Sequence, residues 1–279
     1  MSARRVAQRL PLAANYTVLV LLVLAALGPT LWVMLSSFKT GPQILSPTAR
    51  LWPAPFTLQG YRDAFSQAHL HRYLLNTFLY AGGGTFGALL AGLLAAYPTT
   101  RLRFPFRNLF TIVFSIGLAI PIVGLIVPEF FIMRDLGFLD SRLGLVVFYS
   151  AMFFPLSFVI QRSFLASLPY EIEEAATIDG AGYFTILWRV IVPLALPGLV
   201  TVGALVFIFI WNEYFFAQLF TVSIDHFNMQ MTLATFRSQF QRNDAAGLAG
   251  ASLAMIVPIA AFVFLQRYVV AGLTAGSSR

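Results

Sequence analysis

The chain has 279 residues, of which 58% are hydrophobic and 10% are charged, and its formal net charge is +7. This composition is far from that of a soluble globular protein and predicts a polytopic membrane protein. The basic residues are scattered among short loops, which indicates a positively charged cytoplasmic border and argues against a nucleic-acid partner. The absence of cysteine excludes a disulfide framework and a thiolate metal site.

The first apolar run, about residues 16–35, predicts an uncleaved transmembrane helix. It is longer than the apolar core of roughly 7–15 residues that a signal peptide carries. The proline-punctuated stretch 36–72 that follows predicts an extramembrane loop. We therefore assign residues 1–72 to an N-terminal transmembrane helix with an external loop, and residues 73–279 to a core of five further transmembrane helices.

Three more spans are predicted at about residues 73–97, 109–131 and 143–164. The first of these is rich in glycine, and small residues at this spacing predict a face on which helix backbones pack closely. A phosphate-binding interpretation of these glycines fails because no strand precedes them. The only lysine, Lys39, lies in no Walker-type setting, so no P-loop ATP site is predicted in this chain.

A polar stretch at residues 165–193 interrupts the apolar runs and predicts two short helices joined by a hinge. Ser167 is a candidate cap for a helix that begins near Leu168, and glutamates crowd its first turn. Gly180 predicts the end of this helix, because glycine accepts the left-handed conformation of a helix C-terminus. A second helical stripe follows, and Pro193 is predicted to end it.

The same stretch carries a signature. Glu174, Ala175 and Ala176 are followed after three residues by Gly180, and after nine more by Val190, Val192 and Pro193. This pattern resembles the EAA signature of the membrane permease subunits of ATP-binding-cassette (ABC) importers, with valine at the two positions for isoleucine and leucine. The surrounding EEAATIDGAG is similar to the maltose-type branch, which imports sugars.

The resemblance implies an all-α protein with six transmembrane helices, both termini cytoplasmic, in a prokaryotic plasma membrane. It implies that the 165–193 loop is a coupling helix that docks on a cytoplasmic ATPase. The residues that would form this coupling site are Glu173, Glu174, Ala175, Ala176, Asp179, Gly180 and Pro193.

The partners that the resemblance implies are a second, homologous permease subunit, two ABC ATPase subunits and an extracytoplasmic sugar-binding protein, in contact with membrane lipid. ATP and Mg²⁺ would bind to the partner ATPases, so this chain would be a transport subunit with no cofactor of its own. A permease for another solute, such as a polyamine, and an ion-coupled secondary transporter are the alternatives.

The remaining spans are predicted at about residues 198–220 and 246–270, with an external segment at 221–244 between them. Glu213, beside Trp211 and Asn212, is the acidic residue that this prediction singles out inside a span, and such a residue is a functional candidate. Either it lines a cavity or it makes an interhelical hydrogen bond. No HExxH or G-x-S-x-G arrangement occurs, so neither a catalytic nor a metal site is predicted.

Overall fold

The computed structural model describes residues 3–46, 50–239 and 243–277, and within these ranges it contains helices and no β-strand, which confirms the all-α class. Short 3₁₀ segments lie at Ile122–Leu125 and Ile224–His226, and a π-helical segment lies at Leu187–Ile191. The α-helices are α1 (Ala3–Ser36), α2 (Gly41–Leu45), α3 (Gln59–Ser66), α4 (Leu70–Arg101), α5 (Arg107–Ile116), α6 (Ile126–Asp135), α7 (Arg142–Ser167), α8 (Glu171–Ile178), α9 (Tyr183–Ile186), α10 (Val192–Trp211), α11 (Phe215–Phe220), α12 (Met229–Gln239) and α13 (Asp244–Ser277).

Five helical stretches among the described residues are long and apolar enough to cross a membrane: Ala14–Ser36, Leu70–Arg101, Arg142–Ser167, Tyr183–Trp211 and Asp244–Phe264. Four of them match predicted spans closely, whereas Tyr183–Trp211 only overlaps the predicted span 198–220, because α10 ends at Trp211 and a separate helix, α11, begins at Phe215. The predicted third span, 109–131, is not one continuous helix.

The third span is divided because α5 ends at Ile116 and α6 begins only at Ile126. Pro121 lies in the break, where it precedes the 3₁₀ segment. Proline has no amide hydrogen and cannot continue a helix without losing a backbone bond, so a break at this residue has a local cause. The chain ends, predicted to be cytoplasmic, include residues 1–2 and 278–279, which lie outside the described residues, as do residues 240–242 of the predicted external segment.

The chain divides into two compact units, Met1–Leu70 with Leu233–Ile256 and His71–Thr232 with Val257–Arg279. In the first unit the Tyr61 hydroxyl lies 2.8 Å from Ser37 Oγ and donates to Ser252 Oγ at 3.4 Å. The Asn243 amide donates to Asp63 at 3.0 Å. These hydrogen bonds join the loop after α1 and helix α3 to the beginning of α13.

In the second unit α4 packs closely against α7. A Cβ on Gly87 would lie 2.1 Å from Ser150 Oγ, and one on Gly92 would lie 2.8 Å from Ser157 Oγ, so neither position has room for a side chain. The buried Gln161 amide beside them donates to Ser157 Oγ at 2.6 Å. The predicted small-residue packing face is therefore confirmed.

Two apolar clusters form the core of the second unit. One surrounds Tyr149 and Trp211, where α4, α7, α10 and α11 meet. The other includes Phe158, Leu165 and Ile186 and lies beneath the polar 165–193 stretch. The second cluster is the support on which α8 and α9 rest.

Pro193 does not end the second helix of this stretch, so that prediction was wrong. The helix passes through the π-helical segment Leu187–Ile191 into α10, where Pro193 lies in the first turn. The Val192 amide donates to the Leu187 carbonyl, a wider bond than in an α-helix. A proline in the first turn of α10 needs no amide partner, and the π segment accommodates its ring within a continuous rod.

Candidate functional site

Helix α8 begins at Glu171, slightly later than predicted, and its first turn contains Glu171, Glu173 and Glu174. Carboxylates are favoured there because the helix dipole is positive at its N-terminus. Ser167 is not the cap: its hydroxyl donates to the Phe164 carbonyl of the preceding helix at 2.7 Å.

The turn that ends α8 requires glycine. Gly180 has a φ of +83°, in the left-handed region that side chains disfavour. Its amide donates to the Thr177 carbonyl and the Ala181 amide donates to the Ala176 carbonyl, both at 3.0 Å. This pair of bonds is a Schellman motif, and the hydrophobic contact that accompanies such motifs is made by Ala176 and Ala181, both on the underlying apolar cluster. The sharp turn predicted at Gly180 is confirmed.

Arg101, at the end of α4, anchors α8 to the body of the second unit. Its Nε lies 2.8 Å from Glu173 Oε1, and its guanidinium stacks 4.1 Å from the centre of the Tyr170 ring. Its Nη2 also donates to the carbonyls of Leu165 and Leu168, at 2.6 and 2.9 Å, which satisfies backbone groups at the end of α7.

Glu173 therefore differs from the other acidic residues of α8. Burial raises the pKa of its carboxyl above the usual value, and the Arg101 guanidinium and the Tyr97 hydroxyl oppose that rise. In the predicted coupling site, Glu173 was grouped with Glu174. Glu173 faces inward, whereas Glu174, Ala175, Asp179, Gly180 and Pro193 are exposed and Ala176 is half-buried.

The outer side of α8 and α9 is an exposed mixture of apolar and acidic groups. Ile178 is 86% exposed and Phe184 is 77% exposed, and Tyr183 lies between them in the chain. Glu171, Glu174 and Asp179 are exposed on the same helix and turn. We call these six residues the coupling surface. Large apolar side chains held in the open on a short, fixed helix pair are typical of an interaction site.

Glu213 lies between α10 and α11, where three groups donate to its carboxylate. The Tyr149 hydroxyl of α7 donates at 2.6 Å, and the amides of Phe216 and Ala217 donate at 2.8 and 3.1 Å. Its backbone carbonyl accepts from Asn228 at 2.7 Å. These bonds cap α11 and tie it to α7, so the geometry fits the interhelical interpretation of Glu213.

The side chains of the two residues that precede Glu213 make different contacts from its own. Trp211 is buried and its ring stacks on Phe207 and meets Phe78 edge-on. Asn212 is exposed, and its amide donates back to the Ile208 carbonyl at 2.8 Å. The three residues are consecutive in sequence, but Trp211 packs against α4 in the core, whereas Glu213 joins α11 to α7.

Glu129 was not among the functional residues predicted from the sequence. Glu129 lies in the predicted third span, and the signal that could have found it was an ionisable residue in an otherwise apolar segment. In the structure it stands in the first turn of α6, beside a cavity of about 300 Å³. Its Oε2 is buried and accepts no hydrogen bond from the described residues.

Asp140 organises the beginning of the predicted external segment. Its carboxylate accepts hydrogen bonds from the amides of Val222 and Ser223, at 3.1 and 2.9 Å, and from the Ser223 hydroxyl, and it lies 3.0 Å from His226 Nδ1. Burial alone would raise the pKa of Asp140, but these hydrogen bonds outweigh it and hold the pKa well below its usual range. The loop is thus fixed at its base.

Among the described residues there is no group of three or more His, Cys, Asp or Glu side chains that could hold a metal ion. The acidic residues described above are dispersed over the coupling surface, the helix junction at Glu213, the cavity at Glu129 and the loop that Asp140 holds.

Residues 88–275 match the family described as "Binding-protein-dependent transport system inner membrane component". The chain is 34% identical over 280 residues to the trehalose transport system permease protein SugB of Mycobacterium tuberculosis, covering 99% of each sequence. It is 31% identical over 269 residues to the diacetylchitobiose uptake system permease protein NgcG of Streptomyces coelicolor, covering 96% of this chain and 89% of the relative.

The fold is similar to one chain of a bacterial ABC transporter involved in the import of the acidic polysaccharide alginate. The TM-score is 0.83 at 24% sequence identity, and the match covers 96% of this chain and 98% of the other. The two chains therefore share a fold across nearly their whole lengths.

Proposed function

Because this chain belongs to the family of binding-protein-dependent transport system inner membrane components, we propose that it is the permease subunit of an ABC importer for a sugar. Two relatives at least 31% identical are named for disaccharide-type cargo, trehalose and diacetylchitobiose. We propose an oligosaccharide or monosaccharide as the cargo here. A polyamine permease is the alternative.

The observation that carries this proposal is the coupling surface. Ile178 and Phe184 are more than three-quarters exposed, although α8 and α9 are firmly held by Arg101 and by the Gly180 turn. Large apolar side chains that are exposed in this way are typical of a surface that a partner protein covers. A short helix pair that projects this surface suits insertion into a groove of an ATPase.

ATP and Mg²⁺ would bind to two ABC ATPase subunits, and the coupling surface would transmit their closure to α4, α7 and α10. The coupling surface, together with the predicted site residues Ala175, Ala176 and Gly180, would form the contact. Glu173 would position α8 through Arg101. Pro193 would lie in the first turn of α10, the long helix that follows α9. A second, homologous permease subunit and an external sugar-binding protein would complete the importer.

We further propose six membrane crossings with both termini in the cytoplasm of a prokaryotic cell. The divided helix formed by α5 and α6 would make the third crossing, because Arg101 holds the end of α4 beside α8, whereas Asp140 lies at the opposite end of α7 from α8. Residues 1–72 would then add one crossing and an external loop to a permease core at 73–279, with the coupling loop at 165–193. Trp211 and Glu213 would stabilise the outer part of this core.

The test is purification of the tagged chain from its native membrane in mild detergent, followed by mass spectrometry of the proteins that accompany it. Ile178→Ser is compared with Val222→Ser, because both change an aliphatic side chain that is at least 84% exposed. We expect Ile178→Ser to lose the ATPase and Val222→Ser to retain it.

The cargo is tested with the purified complex reconstituted in liposomes that contain ATP. The binding protein that co-purifies with the complex is added outside the liposomes. Radiolabelled trehalose, maltose, N,N′-diacetylchitobiose and spermidine are the probes. Uptake of spermidine alone would favour the polyamine alternative. A chain that purifies alone and drives uptake from an ion gradient would overturn the proposal in favour of a secondary transporter.

A further inference from the structure

Glu129 stands in an unusual position for a charged residue of a membrane protein. It lies six residues before the end of α6 at Asp135, which places it about 9 Å below the outer end of that helix at 1.5 Å per residue. At this depth an isolated carboxylate exposed to lipid is costly, so such groups face protein or a water-filled cavity.

The backbone beside Glu129 leads to the same conclusion from an independent observation. Between Ile116 and Ile126 the chain is not α-helical, and most residues of this break are exposed on the chain's surface. Irregular backbone at membrane depth is tolerated only where other protein covers it or where it lines a wet cavity, because lipid cannot satisfy its polar groups. The face formed by the break and by the first turn of α6 is therefore turned away from lipid.

A cavity adjoins Glu129. Its volume is about 300 Å³, and its walls come from α6, the loop that follows and α7. The walls are apolar apart from Glu129 and include Ile132, Met133, Phe138, Val147, Phe148 and Met152. One charged acceptor in an otherwise apolar and aromatic cavity of this size is typical of a small-molecule site.

The unmet hydrogen-bonding capacity of Glu129 defines the ligand's chemistry. Its Oε2 is buried and accepts no hydrogen bond from the described residues, so the carboxyl group has an unused acceptor beside the cavity. Sugar hydroxyls are donors that match it, and the C–H faces of a sugar ring match the apolar walls.

We propose that Glu129 and this cavity form a sugar-binding subsite in the outer third of the translocation path, where cargo released by the binding protein first contacts this chain. This inference rests on the proposed function, since it requires a sugar as cargo. Glu129 would accept hydrogen bonds from cargo hydroxyls, and Phe138 and Phe148 would contact the ring. The subsite would help to select the cargo in the membrane, after selection by the binding protein.

The experiment uses the whole importer reconstituted in ATP-containing liposomes, with trehalose, maltose and N,N′-diacetylchitobiose as radiolabelled probes. Glu129→Ala and Glu129→Gln are compared with Asp135→Asn, an exposed acidic residue on the same helix that pairs with Arg134 outside the cavity. We expect Glu129→Ala to slow uptake of the transported probe roughly 10- to 100-fold, the range for a hydrogen bond to a charged group. Glu129→Gln should be intermediate, and Asp135→Asn should match the wild type.

A second measurement separates cargo recognition from a structural role. Uptake of the probe is compared with uptake of its singly deoxygenated analogues, and the wild type should discriminate against at least one of them. Glu129→Ala should abolish that discrimination. The amount of the second permease in the complex and the rate of ATP hydrolysis in the absence of cargo should not change. Unaltered uptake and discrimination, or loss of the second permease from the complex, would overturn the inference. A wild-type complex that transports none of the sugars would instead refute the proposed function.

Discussion

Arg101 Nε lies 2.8 Å from Glu173 Oε1, and this ion pair joins the end of α4 to the first turn of α8. The side chain of Arg101 is 1% exposed and that of Glu173 is 12% exposed. The pair lies beneath the coupling surface, at the place where a displacement of α8 would reach a long helix of the second unit. Its integrity should govern how stiffly α8 follows α4.

Arg101→Ala should loosen α8. Removing one partner of a buried ion pair costs about 3–5 kcal/mol, because the remaining charge is left unpaired. Glu173→Gln should cost less, since it removes the charge and leaves the Arg101 bonds to the Leu165 and Leu168 carbonyls. Hydrogen exchange of residues 171–178 in the purified complex measures this difference. Equal protection of α8 in the wild type and in Arg101→Ala would contradict the anchoring role.

Gly180→Val should reduce ATPase retention and uptake, while Gly182→Val should have little effect. The φ of +83° at Gly180 disfavours any side chain, and a left-handed residue with a Cβ costs roughly 1–2 kcal/mol, more when it is β-branched. Gly182 has an extended backbone, with φ of −78° and ψ of 163°, and open space around its Cβ position. The ratio of ATP hydrolysed to sugar transported checks this pair. Equal ratios in the two variants would show that the turn is not strained by valine.

Tyr149→Phe and Glu213→Ala should both lower the thermal stability of the complex. The Tyr149 hydroxyl donates to Glu213 at 2.6 Å, and a hydrogen bond to a charged group contributes about 1.5–3 kcal/mol. Glu213→Ala should have the larger effect because it also removes the cap from the amides of Phe216 and Ala217. The unfolding temperature of the two single variants and the double variant gives the coupling between them. Additive effects, or a change of sugar preference without loss of stability, would favour a cavity role for Glu213.

Asp140→Asn should increase hydrogen exchange at Val222 and Ser223 while leaving the turn itself intact. Asp140 has a φ of 51°, a left-handed conformation that asparagine also tolerates, so the substitution tests the charge. Because the pKa of Asp140 is lowered from its ordinary 3.8, its contribution to stability is complete above that value and is lost as the pH falls through the lowered pKa. Protection of these amides, corrected for intrinsic exchange, should therefore be flat from neutral pH to about pH 5. A loss of protection between pH 7 and 5 would show that a group other than Asp140 anchors these amides.

Composition and the signature around Glu174 and Gly180 were enough to predict an all-α membrane protein and its family. A run of apolar residues of sufficient length is a property of the chain alone, because each span must satisfy its own backbone within lipid. The turn at Gly180 was predictable for a similar reason, since glycine's freedom at positive φ is local. Pro121 was recognisable in the sequence, but the division of the third span into two helices was not predicted from it.

The tertiary structure alone decided which polar groups meet. Glu173 and Glu174 are adjacent in sequence, yet only Glu173 reaches Arg101, because the rotation of α8 on its apolar support sets which side faces inward. Glu213 and Tyr149 are 64 residues apart, and their contact depends on how α7 packs against α10 and α11. Pro193 lies within a continuous helix because a π-helical segment precedes it. Helix rotation and interhelical contact are properties of packing, and a linear pattern of residues does not determine them.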